Sequence, residues 1–243
     1  MSRWVLITGA ARRIGRAIVL ECARAGWDII VHYHTSQQDA ETLAHAIRGM
    51  GRKVQLAKLD LADADAVAAC IPQLIAETGS IDALVNNASL FEPDALDATG
   101  SRHWAVNVTA PQILNEAFYN AHKHQYTSPA PSIINVLDAD PSKPQFTHYN
   151  RSKRELETLT LGMAKKLAPH VRVNGVALGA IIPSPRESAE HFNKLIASSP
   201  LGVTITAQSV AETIVFMMSN PAMTGAIIPI DGGLHLKSQA LRP

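Results

Sequence analysis

Short apolar runs alternate with helix-length amphipathic stretches along this chain, and that alternation limits the fold more than any other feature. The runs are "WVLIT" (4–8), "DIIVHY" (28–33), "KVQLAKL" (53–59), "ALVNN" (83–87), "SIINVL" (132–137), "VRVNGVA" (171–177) and "AIIPI" (226–230). Most are rich in Val and Ile and nearly continuous, as in strands buried on both faces of a parallel sheet. Helical patterns fall between them at about 12–24, 38–50, 63–78, 100–121, 148–168 and 207–219. The repeated β-α order predicts an α/β fold, a doubly wound parallel sheet of seven strands in a single domain over 1–243. Three irregular stretches, 89–97, 138–148 and 178–189, each follow a strand. They belong at the carboxyl edge of the sheet, where open α/β sheets bind ligands.

The balance of charges narrows the partners. A formal net charge of +1 gives no reason to expect nucleic acid or an anionic membrane surface. No apolar run approaches the roughly 18 residues of a membrane span, and the chain opens on "RWVLITG" with no room for a signal peptide. Cys22 and Cys70 lie far apart in helical patterns and read as buried reduced thiols, and the ten histidines form no zinc-like cluster. These features imply a cytoplasmic protein without a metal site.

"TGAARRIG" (8–15) sits between the first strand and the first helix, where a dinucleotide-binding turn would sit. Gly9 and Gly15 supply the tight turn and the close helix approach, and the helix N-terminus favours an anion. Arg13 stands where such turns usually have glycine, with Arg12 beside it. At the tip of the second strand, "HYHTSQQ" offers His32, Tyr33, His34 and Ser36 and no carboxylate before Asp39. An acid there would hold a ribose 2′-hydroxyl; its absence, with Arg12, Arg13, His32, His34 and Ser36 nearby, suits the 2′-phosphate of NADPH. The plainer alternative is that one or both arginines are solvated helix-start residues. Asp60 in "KLDLAD" could accept from an adenine amino group, or Asp60 or Asp63 could cap a helix. The asparagines of "LVNNAS" (84–89) could tie strands together or border a cofactor.

"HYNRSK" places Tyr149 and Lys153 on one face of a helix, after the strand "SIINV". A phenol with a free pKa of about 10 is a poor acid at neutral pH, and a neighbouring ammonium makes proton transfer easier. "TGAARRIG", "NNAS", "YNRSK", "RVNGVALG" and "IDGG" occur in the order of the short-chain dehydrogenase/reductase family, which the whole chain resembles. The resemblance implies a Rossmann-like fold and a homotetramer. Tyr149 would be the proton donor, Lys153 would lower its pKa and bind the nicotinamide ribose, and Asn107 would support a proton relay. Asp60 would contact adenine. Gly9, Arg12, Arg13, Ile14, Gly15, His32, Tyr33, His34, Ser36, Asp60, Leu61, Asn87, Ala88, Ser89, Tyr149 and Lys153 would line the NADPH site.

Arg13 in place of a turn glycine, "HYH" after the second strand, "NNASLF" and Asp138 resemble the pteridine reductase branch of that family and its dihydromonapterin reductases. The family's usual Ser before the Tyr helix is replaced here by Asp138 in "INVLDADPSKPQFTHY". A carboxylate is a poor partner for a carbonyl oxygen gaining negative charge and a good one for a ring nitrogen taking a proton. The resemblance implies that Phe91 stacks on a pterin, with Arg13, Ser89, Asp138 and Tyr149 as further substrate contacts. The stretch from Asp138 to Tyr149 is about two residues shorter than that branch implies, which leaves Asp140 as the alternative acid. "LG" at Leu178 and Gly179 replaces the family's "PG", and Thr35 stands where the branch often has Arg. Residues 178–199 are expected to form a substrate lid, and 234–243 a tail. Two other readings share these residues: a carbonyl reductase of 3-oxoacyl thioesters, and a nucleotide-sensing scaffold without chemistry. Leu156, Leu159, Met163 and Leu167 form an apolar stripe that could serve assembly or core.

Overall fold

The computed structural model describes residues 3–124, 127–184 and 186–236. Seven parallel strands form one sheet in the order β3-β2-β1-β4-β5-β6-β7. They are β1 (Trp4–Ile7), β2 (Asp28–Tyr33), β3 (Val54–Lys58), β4 (Ala83–Asn86), β5 (Ser132–Asp138), β6 (Arg172–Leu178) and β7 (Ile227–Ile230). The order reverses between β1 and β4, which opens a crevice at their carboxyl ends. The predicted α/β class and strand count agree with this sheet.

Alternation along each strand sorts the core into two layers. Val5, Ile7, Ile29, Val31, Val85, Ile134 and Val176 face one layer, with Ile18 and Val19 of α1 (Arg13–Arg24), Leu43 of α2 (Gln37–Gly49) and Ile214 of α8 (Ala207–Ser219). Leu6, Ile30, Leu84, Ile133 and Val173 face the other, with Ile71 of α3 (Ala64–Thr78), Phe118 of α5 (Ala110–His122) and Met163 and Leu167 of α6 (Thr147–Leu167). Burial on both faces explains the unbroken apolar runs. Met163 and Leu167 are core, as is Leu156, so most of the α6 stripe is spent inside this chain. Cys22 and Cys70 are buried and unbridged; burial pushes both thiols up, Cys70 to about 11.

Local signals set the ends. Gly26, at φ 89°, turns the chain out of α1, and Asp63 caps α3 by accepting from Ala66 N–H at 3.1 Å. The helix expected over 100–121 is a rod in three parts: α4 (Ser101–Trp104), a π-helical turn (Ala105–Thr109) and α5. Among the described residues of the expected lid, α7 (Ala189–Ser198) forms the helical middle, capped by Ser188. Asp231 anchors the start of the tail, accepting from the N–H groups of Gly233 and His235; residues 237–243 lie outside the described residues.

Candidate active site

At the carboxyl end of β1 the chain turns with Gly9 at φ 60°. A Cβ on Gly9 would lie 2.9 Å from Ala88 Cα, and one on Gly15 would lie 2.1 Å from Gly9 O. Neither space can be spared, so both positions require glycine. Arg13 takes the same left-handed backbone, at φ 53°, despite its side chain. That costs about 1–2 kcal/mol. Its guanidinium reaches across the cleft to donate to Ile182 O at 3.1 Å and Pro183 O at 3.0 Å, joining the phosphate turn to the 178–199 segment. Arg12 is exposed and paired with Asp39 at 2.5 Å. No side chain caps the first turn of α1, which leaves its N–H groups facing the crevice. Ile14 packs against the core beside them. Asn87 Nδ2 donates to Thr8 O and Gly9 O at 2.8 and 3.1 Å, and Thr8 Oγ1 accepts from Asn87 and Ala88 N–H. "NNAS" therefore braces the turn from the neighbouring strand.

His32 departs from expectation. It is 3% exposed and lies beneath the turn, not beside a phosphate. Its Nδ1 accepts from Gly9 N–H at 3.0 Å, so Nε2 carries the proton and donates to Leu59 O at 3.1 Å. Burial drives the imidazole down to about 4, against the opposing Leu59 bond. A neutral ring with both nitrogens engaged supplies no charge to a phosphate; it fixes the N–H of Gly9. Tyr33 is likewise buried in the core. His34 and Ser36 remain at the open edge, and the Ser36 hydroxyl does not close α2. Asp60 is exposed, accepts from Ala62 N–H at 2.9 Å and lies 3.7 Å from His34 Nε2, while Leu61 is buried beneath it. Asp63, not Asp60, is the helix cap.

Because the unfolded His32 protonates near 6.5 and the folded one near 4, its neutral form contributes fully above pH 6.5. That contribution, about 3 kcal/mol, is lost as pH falls from 6.5 towards 4. His32→Gln is expected to flatten this part of the urea-midpoint-versus-pH curve relative to the parent. Parallel curves for the two proteins would rule the explanation out.

At the other end of the crevice, β5 and α6 bring the chemistry together. Asp138 closes β5, and its Oδ2 accepts from Tyr149 Oη at 2.7 Å and from Lys143 Nζ at 2.7 Å. Its Oδ1 accepts from Asp140 N–H at 2.9 Å. The Asp140 carboxylate is turned to the Ser142 hydroxyl, so of the two acids it is Asp138 that meets the phenol. Lys153, one helical turn beyond Tyr149, donates to Val136 O at 2.9 Å. Burial lowers Lys153 to about 8; Asp138 opposes that shift and Lys143 adds to it. Tyr149 is held well above 10 by burial, then by the charge and hydrogen bond of Asp138. Burial first, and then the Asp138 carboxylate, favour the protonated phenol, in the direction opposite to the one expected from Lys153.

Asn107 occupies the π-helical turn, a feature frequent at functional sites. Its amide is engaged by Leu90 N–H (2.7 Å), Leu90 O (3.0 Å) and Ser152 Oγ (3.0 Å), which ties the 89–97 loop to α6. Asp94 on that loop accepts from Thr147 and His148 N–H at 2.9 and 3.0 Å, capping α6 from outside the helix. These bonds hold the Asp94 carboxyl below its usual range. Phe91 stacks on Phe146 with centroids 4.4 Å apart and meets the Tyr149 ring edge-on at 4.7 Å. Ser89 is exposed at the loop's start. Sequence reading missed Asp94, Lys143, Phe146 and Ser152. Lys143, five residues after Asp138, left the nearest signal.

Residues 9–235 match the family model described as enoyl-(acyl carrier protein) reductase. The chain belongs to that family and is an oxidoreductase of the short-chain dehydrogenase/reductase type. It is similar to the FolM alternative dihydrofolate reductase 1 of Brucella canis, solved in complex with NADP. That match has 34% identity and a TM-score of 0.88, covering 96% of this chain and 94% of that one. A dihydromonapterin reductase of Shigella boydii is 28% identical over 242 residues, covering 96% of this chain and 97% of the relative. A 3-oxoacyl-[acyl-carrier-protein] reductase, FabG, of Staphylococcus aureus is 29% identical over 245 residues, 97% of this chain and 99% of the relative.

Proposed function

We propose that this protein is an NADPH-dependent reductase of a pterin ring, taking a dihydropterin such as dihydrobiopterin, dihydromonapterin or dihydrofolate to the tetrahydro form. The observation that carries this reading is the Asp138 carboxylate bonded to the Tyr149 hydroxyl. A carbonyl oxygen gaining negative charge would be repelled there; a ring nitrogen gaining a proton is favoured.

The crevice fits the cofactor. The glycine-only turn at Gly9 and Gly15, the uncapped α1 N-terminus and the backbone of Arg12, Arg13 and Ile14 would hold the pyrophosphate. Arg12, His34 and Ser36 would take the 2′-phosphate. Asp60 and Leu61 would border adenine, and Asn87, Ala88, Ser89, Tyr149 and Lys153 the nicotinamide ribose. NADPH, when bound, supplies the hydride. Phe91 stacks the pterin ring, and Arg13 and Ser89 contact its edge. Tyr149 or Asp138 delivers the proton to the ring nitrogen, directly or through water. Lys153 and Asn107 support the relay, and Arg13 holds the 178–199 lid towards the site to exclude water. The single domain works as a cytoplasmic homotetramer; no described helix is long and apolar enough to cross a membrane.

The test is NADPH oxidation by the purified protein with dihydrobiopterin, dihydromonapterin, dihydrofolate and an acetoacetyl thioester in parallel, with NADH as control. Turnover of a pterin with NADPH is expected. The Staphylococcus aureus relative favours a second reading, reduction of 3-oxoacyl thioesters; turnover of the thioester alone would establish it and remove the pterin reading.

A further inference from the structure

Tyr149 poses a physical difficulty. A phenol asked to give up a proton sits 2.7 Å from a carboxylate, and the phenolate left behind would face that negative charge. Lys153 is directed to Val136 O, and the Asn107 amide is engaged by Leu90 and Ser152. The remaining charge on the Asp138 oxygen is Lys143.

We propose that Lys143 is a positioning residue for this reaction: its ammonium shares Asp138 Oδ2 with the Tyr149 hydroxyl and counters the carboxylate's charge as the phenol releases its proton. The proposal rests on the reading of Tyr149 as proton donor.

Lys143 is built into place. Asn150, next to Tyr149 on α6, accepts from Lys143 N–H at 3.3 Å and donates to its carbonyl at 2.7 Å. The ammonium donates at 2.7 Å to Asp138 and at 2.9 Å to Asp140 O, and lies 5.6 Å from the centre of the Tyr149 ring. The Asp138 side chain is 11% exposed and that of Lys143 37%, so the pair runs from the buried site to solvent. A loose surface ion pair has none of this anchoring. The charged and titratable groups around the phenol are Asp138 from β5, Lys143 from the connection and Lys153 from α6 itself. Beyond them lie Asp140, Asp94 at the α6 N-terminus, and His148, whose ring centre is 6.5 Å from that of His103.

In the step served, the substrate double bond opens. NADPH, when bound, would supply hydride to its carbon and be oxidised to NADP, and the Tyr149 proton would go to the partner atom, the ring nitrogen of a pterin or the carbonyl oxygen of a thioester. The phenolate then recovers a proton from solvent water at the Lys143 end of the pair.

The experiment compares Lys143→Met with Lys143→Arg on whichever substrate, pterin or thioester, the parent reduces. Lys143→Met is expected to lose about tenfold or more in kcat, keep its KM for NADPH within about twofold, and show a larger solvent deuterium effect on kcat as proton transfer becomes limiting. Lys143→Arg restores the charge and is expected to recover most of the rate. Unchanged kcat and isotope effect in folded Lys143→Met overturns the proposal, as does equal impairment of Met and Arg. If the thioester is the substrate, the pterin reading falls while the Lys143 comparison still decides its own question. A parent that reduces none of them overturns both.

Discussion

Tyr149→Phe is expected to lower kcat by about 10²–10⁴, far more than the roughly few-fold that losing one hydrogen-bonding group beside the nicotinamide ribose costs NADPH affinity, and to leave folding almost unchanged. The phenolic oxygen donates to Asp138, and the ring is held independently by burial and by the edge of Phe91. Phenylalanine keeps the ring and removes the proton. Asp138 still holds Lys143 and Asp140 N–H, so its carboxylate is not left bare. Turnover is read from NADPH absorbance, affinity from quenching of intrinsic fluorescence, and stability from thermal melting. A sensor without chemistry would have no turnover to lose. A rate within tenfold of the parent would mean that Asp138 and water deliver the proton, and that Tyr149 only holds the carboxylate.

The sheet was legible in the sequence for a physical reason. Strands covered on both faces must be apolar almost throughout, so "DIIVHY" announces β2 and even its limits, Asp28 and Tyr33. Gly9 and Gly15 could be read because no other residue fits. The failures also share a cause, in that they depend on who meets whom. Nothing in "HYH" tells which histidine is inside; β2 ends at Tyr33, so His32 is buried within the sheet while His34 falls just beyond the strand at the exposed edge. The π-helical turn carrying Asn107 has the same apolar spacing as the helix around it. Asp94 caps a helix whose first residue lies 53 positions on. Lys143 acquires meaning only when its loop folds back on Asp138. Pairing from a distance leaves no periodic trace, and the site is built largely from such pairs.

Arg172→Met is expected to destabilise the protein by about 3–5 kcal/mol, the scale of leaving several buried carbonyls without their charged donor. For a domain of this size that corresponds to a fall in Tm of roughly 10 °C. Arg172 opens β6 and is 6% exposed. Its guanidinium donates to Met217 O (3.1 Å), Met218 O (2.7 Å), Asn220 O (2.9 Å) and Met223 O (3.1 Å), and Nε donates to Ala130 O (3.2 Å). Met217 and Met218 lie in the last turn of α8, where carbonyls lack intrahelical partners and the helix dipole favours a cation. Methionine retains the apolar stem and strands these acceptors in the interior. Lysine keeps the charge, but its three donors cannot serve five carbonyls, so Arg172→Lys should recover about half of the loss. α8 packs against the layer that also holds α1, so the loss spreads to the helix whose N-terminus faces the crevice. Chemical denaturation with and without NADPH measures both effects. A loss below about 1 kcal/mol would show that water replaces the guanidinium at these carbonyls, and that α8 is held by its apolar face alone.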